Sequence, residues 1–340
     1  MTLDLLVAGG GPVGLAAAIE ARMRGLSVTV VEPRAGTIDK ACGEGLMPGA
    51  LPALARLGVE PDGHPLRGVS YRDGRHRVDH RFEGEEGRGV RRTVLHAALQ
   101  ARAAELGARF ESGRVEAVTQ DDDGVEAAGI RARYLVAADG LHSTVRRVLG
   151  LERRVRGRGR RFGLRQHYYL EPESDLIEVY WSPVVEAYLT PVGGGVVGVA
   201  LLGRRGVDFE TAIAAIPELA GRLAGAEPAS TLRGAGPFRQ RSVRPSSGRV
   251  LLLGDASGYV DAITGEGIRV GLAQATAAID CIALDAPEAY ADAWAACTRD
   301  FRVLTSGLVA AATSPLRAAI VPVAHRLPRV YGAAIERLAR

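Results

Sequence analysis

Gly9, Gly11 and Gly14 fall at G-x-G-x-x-G spacing between a short apolar run, Leu5–Ala8, and an alanine-rich stretch of helical character. A chain with that order is committed to strand, tight turn and helix, the opening unit of a parallel α/β sheet. Each glycine has its own duty. Gly9 permits the turn, Gly11 lets the backbone approach a pyrophosphate, and Gly14 lets the helix pack closely on the strand. Pro12 suits the first helical turn, because the N–H it lacks would find no partner there; Val13 follows it at the phosphate end. The helix N-terminus adds free N–H groups and the positive end of its dipole. The next strand, Ser27–Val31, leads to Glu32, close to the ~20-residue offset at which a carboxylate hydrogen-bonds an unphosphorylated ribose. Pro33 and Arg34 continue that edge. A glycine-rich turn without a ligand is the other reading of such a motif, and the fingerprint alone does not separate NAD from FAD.

Two later segments narrow the choice. An apolar strand ends at Asp139-Gly140, and another ends at Gly254-Asp255. With these three motifs in this order the chain resembles the para-hydroxybenzoate hydroxylase-like FAD-dependent oxidoreductases over most of residues 1–285. The resemblance implies an α/β fold: a Rossmann-type FAD-binding domain, a mixed-sheet substrate domain and a helical C-terminus. It implies FAD as resident cofactor, with NADPH or NADH as a transient electron donor. Asp255 is then the ligand of the ribityl chain, Asp139 and Gly140 shape the region where flavin and pyridine nucleotide meet, and Arg92 touches the cofactor. Independently of the resemblance, Asp255 sits at the carboxyl end of a strand, where open α/β sheets bind ligands.

Gly265-Glu266-Gly267 opens a helix, Ile268–Ala283. Its N-terminal N–H groups can face the flavin pyrimidine, which becomes anionic on reduction. Ala262 stands where the aromatic hydroxylases carry proline, and the stretch is similar to geranylgeranyl reductase-like members. Those reductases also carry a Cys-Gly pair after the second strand, here Cys42-Gly43 in Asp39–Leu46. Cys42 is thus a candidate catalytic and cofactor-facing residue, with a buried packing cysteine as the alternative. The aromatic-rich YxWxFP segment of the reductases has no clean counterpart in Val179–Val192.

The remaining composition excludes several classes. Cys42, Cys281 and Cys297 show neither disulfide-framework nor zinc-ligand spacing, and no metal site is expected. The first strand leaves no room for a leader, so a reducing, cytoplasmic location is the expectation. Net charge is +4, yet Lys40 is the sole lysine, which points to arginine-biased coding rather than to nucleic acid. Aromatic residues make up 5% of the chain, too few to interleave with the basic residues and stack bases. The densest run, Arg153–Arg161, reads as a phosphate or membrane contact or as a solvated loop.

For organisation, residues 1–63, 88–152 and 245–286 read as a discontinuous FAD-binding domain, 64–87 and 153–244 as a substrate-binding antiparallel sheet, and 287–340 as C-terminal helices. Thr93 is the expected N-cap of a helix over Val94–Leu106, Glu111–Glu126 a hairpin, Phe209–Leu223 one helix, and Pro315, Pro322 and Pro328 helix breaks. Gly163–Leu202 alternates as a sheet with one buried face should. Its His167, Tyr168, Tyr169, Tyr180, Trp181 and Tyr188 concentrate aromatic rings in a chain poor in them. Leu316–Arg340 can lie on a membrane surface, but helices covering the substrate domain are the expectation.

Without a metal cluster or nucleophile elbow, the hard chemistry falls to the flavin. The leading expectation is a single-component monooxygenase, hydroxylase or epoxidase, that uses NAD(P)H and O2 on an apolar phenolic or lipid-like small molecule. His167 or Tyr188 would be the pocket base. The alternative is a geranylgeranyl reductase-like reductase of isoprenoid double bonds, with a proton from near Cys42. A halogenase lacking its WxWxIP segment and a non-catalytic flavin-binding module complete the range. Oligomeric state is open.

Overall fold

The computed structural model describes residues 3–153, 155 and 160–339. Most of the Arg153–Arg161 run therefore lies outside the described residues. The fingerprint forms as its sequence dictates: β1 is Leu3–Ala8, α1 is Pro12–Met23 and β2 is Val28–Glu32. They open a sheet whose strands run in the order Ser246–Ser247, Val250–Leu252, Ile130–Ala137, β1, β2 and Arg109–Ser112. All these pairs are parallel except the Ser246–Ser247 edge. Register sets Ala8 beside Ala137 and Ala137 beside Leu252, so the segments after all three strands emerge at one carboxyl edge. Brought to that edge are the fingerprint, Glu32, Asp139-Gly140 and Gly254-Asp255.

Alanines explain how close the layers lie. Ala16, Ala17 and Ala18 are fully buried in α1, between the sheet and the Gly267–Ala283 helix, and small side chains let both neighbours approach. Leu5, Val7, Leu15, Ile19, Leu99 and Ile279 fill the same core. Truncating one such leucine to alanine costs about 2–5 kcal/mol.

The second sheet orders its strands Arg233–Ala235, Arg161–Tyr169, Val196–Arg204, Glu186–Gly193, Leu176–Trp181, Gly68–Arg72 and Arg77–Arg81. It is mixed, since Gly68–Arg72 pairs parallel to Leu176–Trp181. The expected single buried face is corrected: both faces are covered. Tyr180 and Leu201 point to a cluster with Phe209, Ile213 and Leu219, while Val179, Trp181 and Leu202 point to one with Tyr331 and Ile335 of the C-terminal helix Pro328–Ala339.

Four local expectations also change. Thr93 does not cap: the helix spans Arg92–Glu105 after Arg91, without a side-chain cap. Glu111 belongs to the parallel strand Arg109–Ser112, so the hairpin is confined to Val118–Gln120 and Val125–Ala127. Phe209–Leu223 splits into Phe209–Ala214 and Pro217–Leu223, because Pro217 disfavours the helical region for Ile216. Pro322 interrupts nothing; it lies in the first turn of Ile320–Arg326, where no N–H is needed.

Candidate active site

The glycines meet the geometry their spacing demands. Gly9 has φ +103°, and a Cβ there would stand 2.6 Å from the Ala138 carbonyl oxygen. A Cβ on Gly14 would stand 2.0 Å from the Gly9 oxygen, closer than atoms can approach. Gly11 is different: a Cβ would meet nothing within 4 Å, so the fold itself does not require a bare backbone there. Pro12 is the first residue of α1, and Val13 packs behind it against Gly254 and Gly271. Sequence reasoning missed His96. Its Nε2 lies 2.9 Å from the Gly10 carbonyl, which can only accept, so Nε2 carries the proton. Burial holds this imidazole below its ordinary pKa.

At the end of β2, Glu32 accepts from the Gly10 N–H at 2.9 Å and from Arg34 Nε at 2.7 Å. Burial raises its pKa, but the Arg34 and Gly10 hydrogen bonds outweigh that and leave it below the usual range. Pro33 and Arg34 are exposed at the rim. Lys40, unremarked as a site residue in the sequence, lies across the same cleft, with Nζ 3.3 Å from where a Gly140 Cβ would stand. Its ammonium is pulled below the ordinary lysine pKa by burial and by the positive charges of Arg34 and Arg92, against the attraction of Asp255 and Glu32. Asp255 is half-buried in the turn Gly254–Ser257, and burial pushes its carboxyl up despite Lys40, Arg92 and Arg146. Gly254, at φ +57°, donates to Gln274 Oε1 at 2.6 Å. Asp139 Oδ2 accepts the Thr144 and Val145 N–H groups at 2.7 and 3.1 Å, which holds the turn after Gly140 in place.

The Cys42-Gly43 loop is clamped from the second sheet. Arg165 pairs with Asp39 and donates to the Lys40 carbonyl at 3.1 Å, while His167 Nε2 meets Glu44 Oε2 at 2.5 Å. Glu44 adopts φ +60°, and its other oxygen accepts the Arg92 N–H at 2.8 Å. Arg165 Nη1, which only donates, is 3.2 Å from His167 Nδ1, so Nδ1 accepts and Nε2 carries the proton. His167 is 1% exposed with both nitrogens engaged, which makes it a post for the loop rather than a group that reaches a substrate. Cys42 is a half-buried free thiol and Gly43 is exposed beside it.

The third wall follows Asp255. Tyr259 lies against Gly267, its ring 5.9 Å from that of Phe238 in a T-shaped contact. Burial, reinforced by Asp255, Asp261 and Cys42, pushes its phenol well up, so it keeps its proton. Asp261 is 3% exposed and 3.1 Å from Arg161 Nε; burial raises its carboxyl to about 6. Tyr188 donates to the Ile263 carbonyl at 3.0 Å and burial raises its phenol too. Gly265, at φ +72°, turns the chain into the helix; Glu266 is buried on Arg269, Gly267 is the first helical residue and Ile268 is half-buried. Tyr168 and Tyr180 face away into the other cluster and Tyr169 is exposed, so Trp181 and Tyr188 alone of the expected aromatics join this wall, with Tyr71, Phe238 and Tyr259.

A dinucleotide flavin fits what these residues leave open. The space over Gly11 is free, and Arg92 Nε and Asp139 Oδ1 are buried with no partner. Gly11 to Gly14 with the α1 N-terminus would hold the pyrophosphate, Glu32 the adenosine ribose, and Asp255 with Arg92 the ribityl side. Gly267 would face the ring.

The comparisons agree. A family described as FAD binding domain matches residues 2–288. The menaquinone reductase of Mycolicibacterium smegmatis is 28% identical over 86% of this chain and 79% of its own. Digeranylgeranylglycerophospholipid reductase 2 of Methanopyrus kandleri is 27% identical over 80% of this chain and 74% of its own. Rifampicin monooxygenase of Streptomyces venezuelae is 31% identical, but over 44% of this chain and 34% of its own. In fold, a flavin-dependent brominase superposes with TM-score 0.86 at 18% identity, covering 100% of this chain and 94% of that one. Sharing both the matched FAD-binding region and the three-walled site at the sheet's carboxyl edge, the chain belongs to the FAD-binding-domain family and is an FAD-dependent oxidoreductase.

Proposed function

We propose that the protein saturates carbon–carbon double bonds of an isoprenoid-type lipid, with electrons drawn from a nicotinamide nucleotide. The observation that carries this reading is where similarity extends. Two reductases align over 86% and 80% of the chain, through the substrate sheet, and among these relatives no monooxygenase reaches that far; the rifampicin enzyme and a third reductase, digeranylgeranylglycerophospholipid reductase 1, both align over 44%. Saturating an alkene takes a hydride equivalent, which FAD would supply once reduced by the nicotinamide nucleotide, and a proton, which the chain must hold. The chain's own groups suit the second task. Tyr259 stands against Gly267 at the start of the helix and keeps its phenolic proton, as a proton donor must. Trp181, Tyr71, Phe238 and Ile263 make the surrounding wall apolar, which favours a hydrocarbon substrate and excludes water. Arg165 and His167 fix the loop that presents Cys42.

A monooxygenase acting with O2 is the second reading, favoured by the 31% identity of the rifampicin enzyme where it does align. One experiment separates the two. The FAD-loaded protein is photoreduced without oxygen, mixed with a dispersed geranylgeranyl lipid, and the products are weighed by mass spectrometry. A product heavier by two hydrogens, with the flavin returned to its oxidised spectrum, supports the reductase. Product only after oxygen is admitted, heavier by one oxygen, gives the site to oxygenation.

A further inference from the structure

We infer that the outer face of the C-terminal helices docks the protein on a bilayer containing anionic lipid. Pro315–Ala319, Ile320–Arg326 and Pro328–Ala339 follow one another as three short helical segments. Their inner side chains, Val321, Tyr331 and Ile335, are buried in the apolar cluster with Trp181, Tyr71 and Ile263. Their outer side is apolar as well: Leu316, Val323, Leu327 and Val330 are 65%, 51%, 51% and 63% exposed within a span of 15 residues. A helical layer that covers a core needs only one apolar side, and large apolar side chains gathered on the other mark an interaction surface.

Charge selects the partner. From Ser314 to Ala339 the chain carries four arginines and a single acid, Glu336. Glu336 is turned inward onto His80 at 2.7 Å, and Arg317 inward onto the Ser182 carbonyl at 2.6 Å. Arg326 and Arg329 remain exposed beside Leu327 and Val330, and neither forms an ion pair among the described residues. Exposed arginines flanking apolar side chains match a surface that offers anionic headgroups above hydrocarbon. A second copy of this chain fits poorly, since a two-fold contact presents the same patch twice and sets arginine against arginine.

The same region is long and apolar enough for a membrane only as the pair Pro287–Ala312 and Pro315–Arg326, which is bent by 95°; no single helix is. A right-angled pair of that composition suits the interface plane rather than a crossing. The layer also forms one wall of the apolar cluster around Tyr188 and Tyr259, so docking would set that compartment next to lipid. This goes beyond the proposed reaction, and it takes up the membrane-surface reading of Leu316–Arg340 that the sequence left open but did not favour.

The test uses the full-length, FAD-loaded protein and vesicles with no isoprenoid substrate, so that its outcome is separate from that of the activity assay. Sedimentation is measured with phosphatidylcholine vesicles and with vesicles that also contain phosphatidylglycerol. Binding should be stronger to the anionic vesicles and weaken by about tenfold or more in high salt or in the Arg326→Glu/Arg329→Glu variant. Leu327→Gln/Val330→Gln should also release the protein, with the flavin spectrum and melting temperature of all variants unchanged. No pelleting of the unmodified protein on anionic vesicles, or equal pelleting of the charge-reversed variant, overturns the proposal. So does a dimer in solution that Leu327→Gln/Val330→Gln converts to monomer, which would assign the face to a second copy.

Discussion

Glu44 and His167, 123 positions apart, meet at 2.5 Å in the interior, and through them the second sheet holds the loop that bears Cys42. Both are nearly inaccessible, at 4% and 1% exposure. Removing one member of such a pair leaves a carboxylate buried without its main partner. His167→Ala should therefore cost about 2–3 kcal/mol in urea denaturation, and Cys42 should be alkylated faster by iodoacetamide as its loop loosens. In a double-mutant cycle, Glu44→Gln combined with His167→Ala should cost less than the two separate losses added together. Additive losses would show that the pair does not act as a unit.

Gly11 and Gly14 share a motif but should fail differently. In Gly14→Ala the new methyl collides with the Gly9 oxygen, which would be 2.0 Å away, so folded yield and cofactor both fall. In Gly11→Ala the methyl enters space that is open in the protein. That variant should fold with an unchanged melting temperature as apoprotein, yet bind FAD at least on the order of tenfold more weakly, roughly 1.4 kcal/mol. Fluorescence titration with FAD, beside thermal melting of the apoprotein, separates the two cases.

This contrast also marks how far the sequence is legible. The fingerprint, Glu32, Asp255 and the Gly265–Gly267 turn could be read because each is a local pattern with one backbone solution, and the first three meet at one sheet edge. His96, Lys40, Glu44 and Tyr259 could not. His96 matters through a carbonyl 86 positions away, and nothing in its own helix signals it. Lys40 carried a faint signal as the sole lysine of the chain. His167 was visible as an unusual residue, but its identity gives no hint that Glu44 and Arg165 occupy both nitrogens. Likewise the alternating strands do not reveal a covered second face, because the elements that cover it are distant in the chain.

Asp261 predicts a pH dependence whose sign is fixed by its environment. Burial raises the folded-state carboxyl from 3.8 to about 6, although Arg161 opposes it. Between those values the folded protein keeps a proton that the unfolded chain has released. Stability from this group is thus present at low pH and is lost as pH rises toward 6, by about 3 kcal/mol at ~1.4 kcal/mol per unit. Asp261→Asn should remove that slope. Urea midpoints for both proteins at intervals from pH 4 to pH 7 measure it, and parallel profiles would contradict the assignment.

Tyr259 offers the sharpest check on proton delivery in the proposed reduction. Its phenol lies among Asp255, Asp261 and Cys42 at the entrance to the Gly267–Ala283 helix, and all three hold its proton in place. Tyr259→Phe keeps the ring and its T-shaped contact with Phe238, so FAD loading should be unchanged and folding stability should stay within about 0.5 kcal/mol of the parent protein. Reduction by the nicotinamide nucleotide, which needs no proton from this group, should proceed at its former rate. The later step, reoxidation by the alkene, should slow by roughly 100-fold, the usual scale for losing one general acid. It should also lose most of the sensitivity to deuterated solvent seen in the parent protein. Stopped-flow absorbance in H2O and D2O measures both steps separately, and unchanged alkene-dependent reoxidation in the variant would move the proton to Cys42, where Cys42→Ser should then show the same pattern.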